Sequence, residues 1–226
     1  MVFKKFTGLI LELLFPKFCF GCQREGSYLC EDCRSTLEIS EFHKQHSGQY
    51  LKDLYFALPY QNPLIKSLIQ KFKYQPLVKE LAESLSLLII EHFQLLDNKL
   101  NFTDFTIIPI PLEKRRLKSR GFNQAEEIAK ELSHFLEIPL FSGCLIKTKE
   151  TTPQVELSGD ERKENIRGAF SVKNSQEIKN KKILLVDDVF TTGSTMEEAA
   201  RILKAAGAKE IIGIVIARAS PGEDRP

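Results

Sequence analysis

The chain has 226 residues, 42% of them apolar and 27% charged, with a net charge of +2. This composition belongs to a globular protein and excludes disorder or a collagen-like fibre. So small a net charge excludes nucleic-acid binding through bulk charge, although a local patch stays open. The length suits one sizeable domain plus something small, with a core that needs no disulfide.

No run reaches the ~18 uncharged apolar residues of a membrane span. Gly8 to Phe15 is apolar but short, carries Glu12 and follows Lys4 and Lys5. No small-x-small cleavage site follows it. It is therefore read as a helix with a packed apolar face, and the chain as cytoplasmic.

Four of the five cysteines, Cys19, Cys22, Cys30 and Cys33, form the pattern C-x2-C-x7-C-x2-C. Two such knuckles bring four thiolates to one tetrahedral ion. Zinc (Zn2+) is the usual occupant and iron its competitor. Disulfides would need an oxidising compartment, and a redox C-x-x-C would not come doubled. The module from about Pro16 to Leu37 is too small to fold without a staple. Gly21 stands where a knuckle turn often needs positive φ. Cys144, alone in an apolar run, reads as a buried small hydrophobe. His43 and His46 lie in the polar stretch Glu38 to Gly48 and read as solvated loop residues.

From Asp53 the pattern changes. Leu54 to Leu58 reads as a strand. Pro63 starts a helix through Tyr74, with Leu64, Leu68 and Phe72 on one face. Pro76 opens another, in which Leu77, Leu81, Leu85, Leu88 and His92 recur at helical spacing. His92 reads as packed or capping. Phe105 to Ile110 is a buried strand. A basic loop and a helix from Asn123 to Leu136 follow, and Leu140 to Ile146 is a further strand. Thr151 to Gly168 is a long polar loop, functional or mobile. Lys182 to Val186, a helix from Thr195 to Ala206 stopped by Gly207, and Ile211 to Ala217 form a βαβ unit with a parallel sheet.

The strongest functional signal is Ile183-Leu-Leu-Val-Asp-Asp-Val-Phe-Thr-Thr-Gly-Ser-Thr195. The strand delivers Asp187 and Asp188 to its carboxyl end, the ligand-binding edge of open α/β sheets. Thr191, Thr192, Gly193, Ser194 and Thr195 then precede a helix. Their N–H groups, hydroxyls and the helix dipole make a seat for one phosphate. Two acids beside such a seat suit a sugar diol. Capping alone would explain one hydroxyl, not this density of acids, glycine and hydroxyls. No G-x4-G-K-[ST] is present, so an ATPase reading fails.

After Ile107-Ile-Pro-Ile-Pro-Leu112, residues Lys114, Arg115, Arg116, Lys118 and Arg120 stand against Glu113 alone, a local charge of +4. Arginines grip phosphate oxygens bidentately, so a pyrophosphate group fits here. A solvated basic loop or a nucleic-acid patch are the other readings.

The Asp187 to Thr195 motif resembles the PRPP-binding signature of type I phosphoribosyltransferases. The joint order of four features is similar to the ComF family of competence-associated proteins. They are the cysteine cluster, Pro111 to Gln124, Thr152 to Phe170 and the acid-pair motif. The resemblance implies a parallel sheet flanked by helices, of the type I phosphoribosyltransferase kind, with a small N-terminal zinc module. Its expected limits are 1–48 for the helix and zinc module, 49–218 for the main domain and 219–226 for a flexible tail.

The same resemblance implies PRPP binding with Mg2+. Asp187 and Asp188 would hold the sugar hydroxyls, Thr191 to Thr195 the 5′-phosphate, and Lys114, Arg115, Arg116 and Arg120 the pyrophosphate. Asp187, Asp188, Arg115 and Arg116 would carry any transfer chemistry. Gln154, Leu157, Ser158, Arg162, Asn165 and Phe170 match the family's own pattern in the mobile loop that covers the ligand. The implied role is DNA uptake in natural transformation, beside a helicase and single-stranded DNA at the inner face of the membrane. Two alternatives stay open: active transfer to an unidentified base or amine, and a non-catalytic PRPP or nucleotide sensor.

Overall fold

The computed structural model describes residues 16–43, 45, 46, 48–74, 78–96, 100–149 and 164–219. The expected first helix, Pro76 and Leu77, the loop residues Gln154, Leu157, Ser158 and Arg162, and the tail beyond Ala219 lie outside them. The chain divides into two compact units, Met1–Glu38 and Ile39–Pro226.

In the first unit, Phe18 bridges Glu25 in antiparallel fashion, and Cys30 opens the short helix α1, Glu31–Ser35. Phe20 stacks on Tyr28 at 5.5 Å, and Arg24 pairs with Asp32. Positive φ falls at Gln23 (63°) and Gly26 (123°), not at Gly21 as the spacing suggested.

The second unit is a doubly wound sheet. Its strands are β1 (Asp53–Pro59), β2 (Phe105–Pro109), β5 (Lys182–Val186), β6 (Val189–Phe190) and β7 (Glu210–Arg218), all parallel in the order β1-β7-β5-β2, with β6 on β7. β2, β5 and β7 are nearly continuous apolar runs because both faces are covered. Helices α2 (Pro63–Lys73), α3 (Leu81–Leu95), α4 (Lys114–Arg120), α5 (Gln124–Leu136) and α6 (Ser194–Ala205) complete it, with a small hairpin of β3 (Leu145–Lys147) and β4 (Phe170–Val172).

Strand alternation divides the core. Ile108, Ile183, Leu185, Ile211 and Val215 pack with Met196, Ala199, Ala200 and Leu203 of α6 and with Leu145 and Phe170 of the hairpin. Ile107, Leu184 and Ile214 are one residue out of step and fully buried. They serve the other face, where α3 lies against β1 and β7 and α5 against β2 and β5. Asn62 caps α2, accepting from the Leu64 and Ile65 amides at 3.0 and 3.2 Å. Asn123 caps α5 through the Ala125 amide at 3.2 Å.

Three expectations change. Residues 114–120 form a helix rather than a loop, closed by Gly121 in the left-handed region. Lys, Arg and Leu are good helix formers and Gly at C′ ends the turn, but the segment buries no apolar stripe to announce it. The strand expected over Leu140 to Ile146 is split. Leu140 bridges Ile107 at the sheet edge, and pairing resumes at Leu145 in the hairpin. The two histidines are packed, not solvated. His43 pairs with Asp53 at 2.8 Å and stacks on Tyr55 at 4.2 Å, and His46 meets the Phe190 ring edge-on at 5.2 Å. Their aromatic rings gain more from those partners than from water. His92 is buried with Nδ1 2.6 Å from the Ser40 carbonyl, and Cys144 is buried.

Candidate functional site

The connection from β2 runs outward, through α5 to Leu140 beside β2. That from β5 runs the opposite way, through α6 to β7. The winding therefore reverses between β2 and β5, and their carboxyl ends border the crevice where open α/β sheets bind ligands. Two of the expected clusters follow these strands directly: the acid pair after β5 and the basic helix α4 after β2.

Asp187 and Asp188 sit where β5 releases the chain. The Asp187 amide donates to the Ile214 carbonyl at 3.0 Å, and the Asp188 carbonyl accepts from the Ile216 amide at 3.0 Å. These bonds to β7 fix the turn. Asp188 is buried, and its Oδ1 lies 2.8 Å from the Lys73 ammonium. Burial and the neighbouring Asp188 charge push the Asp187 carboxyl up to about 7, against the pull of Lys73. Burial opposes the charge on Lys73, but Asp188 outweighs it and holds the ammonium above its ordinary range.

The phosphate-seat sequence forms the turn into α6. Gly193 is its N-cap in the left-handed region, φ 78°, and the Thr192 and Ser194 hydroxyls lie 2.9 Å apart. An added Cβ on Gly193 would overlap the Phe190 ring. The backbone can therefore close over that ring only because the residue is glycine. Thr191, Thr192 and Thr195 are partly exposed, while Ser194 is buried.

Across the crevice, Lys114, Arg115 and Lys118 are exposed and Arg116 is partly buried. Arg120 lies over the Tyr74 ring at 5.2 Å and donates to Gln124 Oε1 at 3.1 Å. From the hairpin comes Lys147, which no sequence signal singled out. Burial, then Arg116, lowers its pKa, and Glu113 and Asp187 partly restore it. Residues 164–166, including Asn165, are helical. The Gly168 amide, at the returning end of the long loop, donates to Glu198 Oε1 at 2.7 Å.

Lys73, Lys147 and Glu198 were missed because each is a single residue with an ordinary local pattern. Only folding brings it to the acid pair or to the loop. Glu198 is also gripped by Arg201, with Nε and Nη2 both at 2.8 Å. The Arg201 bonds, against the opposing effect of burial, hold its carboxyl below the usual range. A depressed carboxylate stabilises the fold above the unfolded pKa, and that contribution is lost as pH falls through the folded one. Glu198→Gln is expected to cost about 1–3 kcal/mol at neutral pH. The deficit should shrink in urea titrations below pH ~4; a deficit equal at both pH values would refute the linkage.

The four cysteine sulfurs lie within 4.8 Å of one another and can bind a metal such as zinc. The donor set fits one. The Gly21 and Cys30 amides point at Cys19 Sγ, both at 3.4 Å, and the Cys33 amide at Cys30 Sγ, at 3.5 Å. Amide donors of this kind support thiolate charge. Burial opposes ionisation of Cys19, but the amides of Cys30, Cys22 and Gly21 together bring it down to about 6. Cys33 is pushed up to about 12, first by its hydrogen bond with Cys22 and then by burial. Four adjacent thiols cannot all ionise without a cation among them.

Among the described residues, no helix is long and apolar enough to cross a membrane.

Residues 94–226 match the family model described as the phosphoribosyl transferase domain. The chain is 34% identical over 212 residues to competence protein F of Haemophilus influenzae, covering 89% of this chain and 90% of that one. It is 33% identical over 199 residues to the DNA utilization protein YhgH of Escherichia coli K12, covering 85% of each. With competence protein ComFC of Bacillus subtilis it shares 28% identity over 208 residues, 88% of this chain and 73% of that one. The chain thus belongs to the ComF family, the competence and DNA-utilization proteins built on a type I phosphoribosyltransferase domain.

Proposed function

We propose that the protein binds the magnesium complex of PRPP in the crevice between β2 and β5, in the service of DNA uptake. The observation that carries this reading is the acid pair at the end of β5, directly beside the Gly193 turn and opposite the basic helix α4. A ribose would rest its hydroxyls on Asp187 and Asp188, with its 5′-phosphate at Thr191 to Thr195. Its pyrophosphate would face Arg116, with Lys114, Arg115 and Arg120 as the further cations of that wall. The metal comes with the ligand, on phosphate and sugar oxygens, as suits a small hard cation.

If transfer occurs, the C1–O bond to pyrophosphate breaks with its electron pair leaving on pyrophosphate, and C1 bonds to the acceptor nucleophile. The passing positive charge on the sugar would be favoured by the two carboxylates, and the leaving charge by Arg115 and Arg116. The loop of Gln154, Ser158, Arg162 and Asn165 would close over the ligand and exclude water. Zn2+ at Cys19, Cys22, Cys30 and Cys33 would be structural. The names of the relatives, competence and DNA-utilization proteins, favour a role with DNA; action in the cytoplasm, with single-stranded DNA and an uptake helicase as partners, completes the proposal. A base or amine phosphoribosyltransferase and a non-catalytic PRPP sensor are the competing outcomes.

Calorimetry with PRPP and Mg2+ tests the reading. Saturable heat is expected, with affinity falling at least ~10-fold in Asp188→Asn and in Arg116→Ala, the order of one or two lost charge-assisted bonds. No heat from the folded protein overturns the reading. Pyrophosphate release with a panel of bases and amines would identify a transferase; its absence with retained binding would identify a sensor.

A further inference from the structure

Lys73 ends α2, far in sequence from the acids it meets, and its place is over-determined. The buried face of α2, Ile65, Leu68, Ile69 and Phe72, fixes the helix against the core. On one side of Lys73, the Phe72 carbonyl accepts from Gln124 Nε2 at 2.8 Å. On the other, Tyr74 donates its amide to the Gln70 carbonyl at 2.8 Å and carries Arg120 over its ring. Arg120 and Gln124 are themselves bonded at 3.1 Å. Gln124 at the start of α5 and Arg120 at the end of α4 thus hold the chain on either side of Lys73, whose ammonium reaches Asp188 at 2.8 Å.

We propose that Lys73 is a positioning residue that divides the labour of the acid pair, holding Asp188 in place against its ammonium and leaving Asp187 as the exchangeable hydroxyl acceptor. This deepens the PRPP reading and rests on it for the ligand. Adjacent acids in a half-buried crevice cannot both ionise freely, and a cation on one of them decides which keeps its charge. Asp187 is faced by Asp188, by Lys73 from α2 and by Lys147 from β3. Tyr60 lies near Lys73, and Arg116 and Glu113 near Lys147. With its carboxyl pushed up to about 7, Asp187 is protonated in only part of the molecules near neutral pH. Sugar hydroxyls donating to its carboxylate favour the ionised form, so ligand binding expels that proton. The step balances: where Asp187 is protonated, its proton leaves for buffer and the carboxylate gains the donors.

The test has a ligand-free arm. Carboxyl 13C NMR of the free protein should show Asp187 titrating at about 7. In Lys73→Met its midpoint should rise by about one pH unit or more, and Lys73→Arg should restore it. An unchanged midpoint in Lys73→Met overturns the proposal, as does an Asp187 midpoint in the ordinary carboxylate range in the wild-type protein. The second arm needs no variant. Calorimetry of PRPP and Mg2+ binding in two buffers of different ionisation heat should show proton release that vanishes toward pH 9; buffer-independent heats at pH 7 overturn proton coupling. If the wild-type protein binds no PRPP while the NMR shifts appear, the ligand reading fails and the division of the acids stands.

Discussion

Gly193→Ala is expected to abolish PRPP binding and to lower stability by roughly 2–4 kcal/mol, the sum of a left-handed non-glycine residue and an overpacked contact. The residue has φ +78°, and an added Cβ would stand 2.9 Å from Phe190 Cε2 and 3.1 Å from Cε1. The ring has little room to retreat. His46 meets it edge-on, the Arg218 guanidinium lies 5.6 Å from its centre, and its own carbonyl accepts from the Ala219 amide at 2.8 Å. Relief must come from the backbone of the turn, and that turn is the proposed phosphate seat. Gly121→Ala is the control for strain alone. Its φ is +77°, yet nothing lies within 4 Å of the added Cβ. It should cost about 1–2 kcal/mol. Urea unfolding and calorimetry on both variants measure the difference. Wild-type affinity in Gly193→Ala would remove the turn from the site.

The other large effect concerns the cysteine cluster. Stripping the metal, or replacing Cys30 by Ser, is expected to unfold residues 16–38. Among the described residues of that unit only Cys19, Leu29 and Leu37 are buried hydrophobics. So small a core cannot offset the chain entropy of ordering the segment. Metal ligation at four sulfurs supplies about 10–16 kcal/mol in small zinc modules. Cys30 is doubly placed, since its sulfur also accepts from the Cys33 amide at the start of α1. Without metal, Cys33 keeps its proton to about 12. Metal binding must displace it, so affinity should fall as the solution is acidified. Elemental analysis should find one metal per chain, and amide NMR should show residues 16–38 collapse to unfolded shifts on chelation. Retained dispersion after complete removal of metal would show that the unit folds by other means.

Legibility in the sequence followed the range of the interactions. β5 and its acid pair were readable because strand, turn and helix N-terminus are contiguous, and each residue type answers to a local rule. The same holds for Asn123 at the start of α5 and for the knuckle spacing of the cysteines. Helix α4 is not legible locally, because its helicity rests on propensity and a C-terminal glycine, with no buried stripe. Residues 140–146 look like one strand in sequence but are two pieces in the fold. An apolar run does not reveal that Leu140 belongs to the sheet edge and Leu145 to a separate hairpin. The polar neighbours of His43 and His46 in sequence suggest solvent, and say nothing of the Tyr55 and Phe190 rings against which they pack.

The parallel αβ architecture, the sulfur cluster and the order of acids, hydroxyls and glycine after β5 are local matters, set by residue types and backbone preferences within short stretches of chain. How those groups behave depends on segments that folding brings together. Lys73 reaches Asp188 across more than a hundred residues of chain. Lys147 arrives from a hairpin, and Glu198 holds the end of the loop by the Gly168 amide. The charge state of a buried acid depends on what surrounds it in space, and that environment is assembled from segments that no local pattern connects.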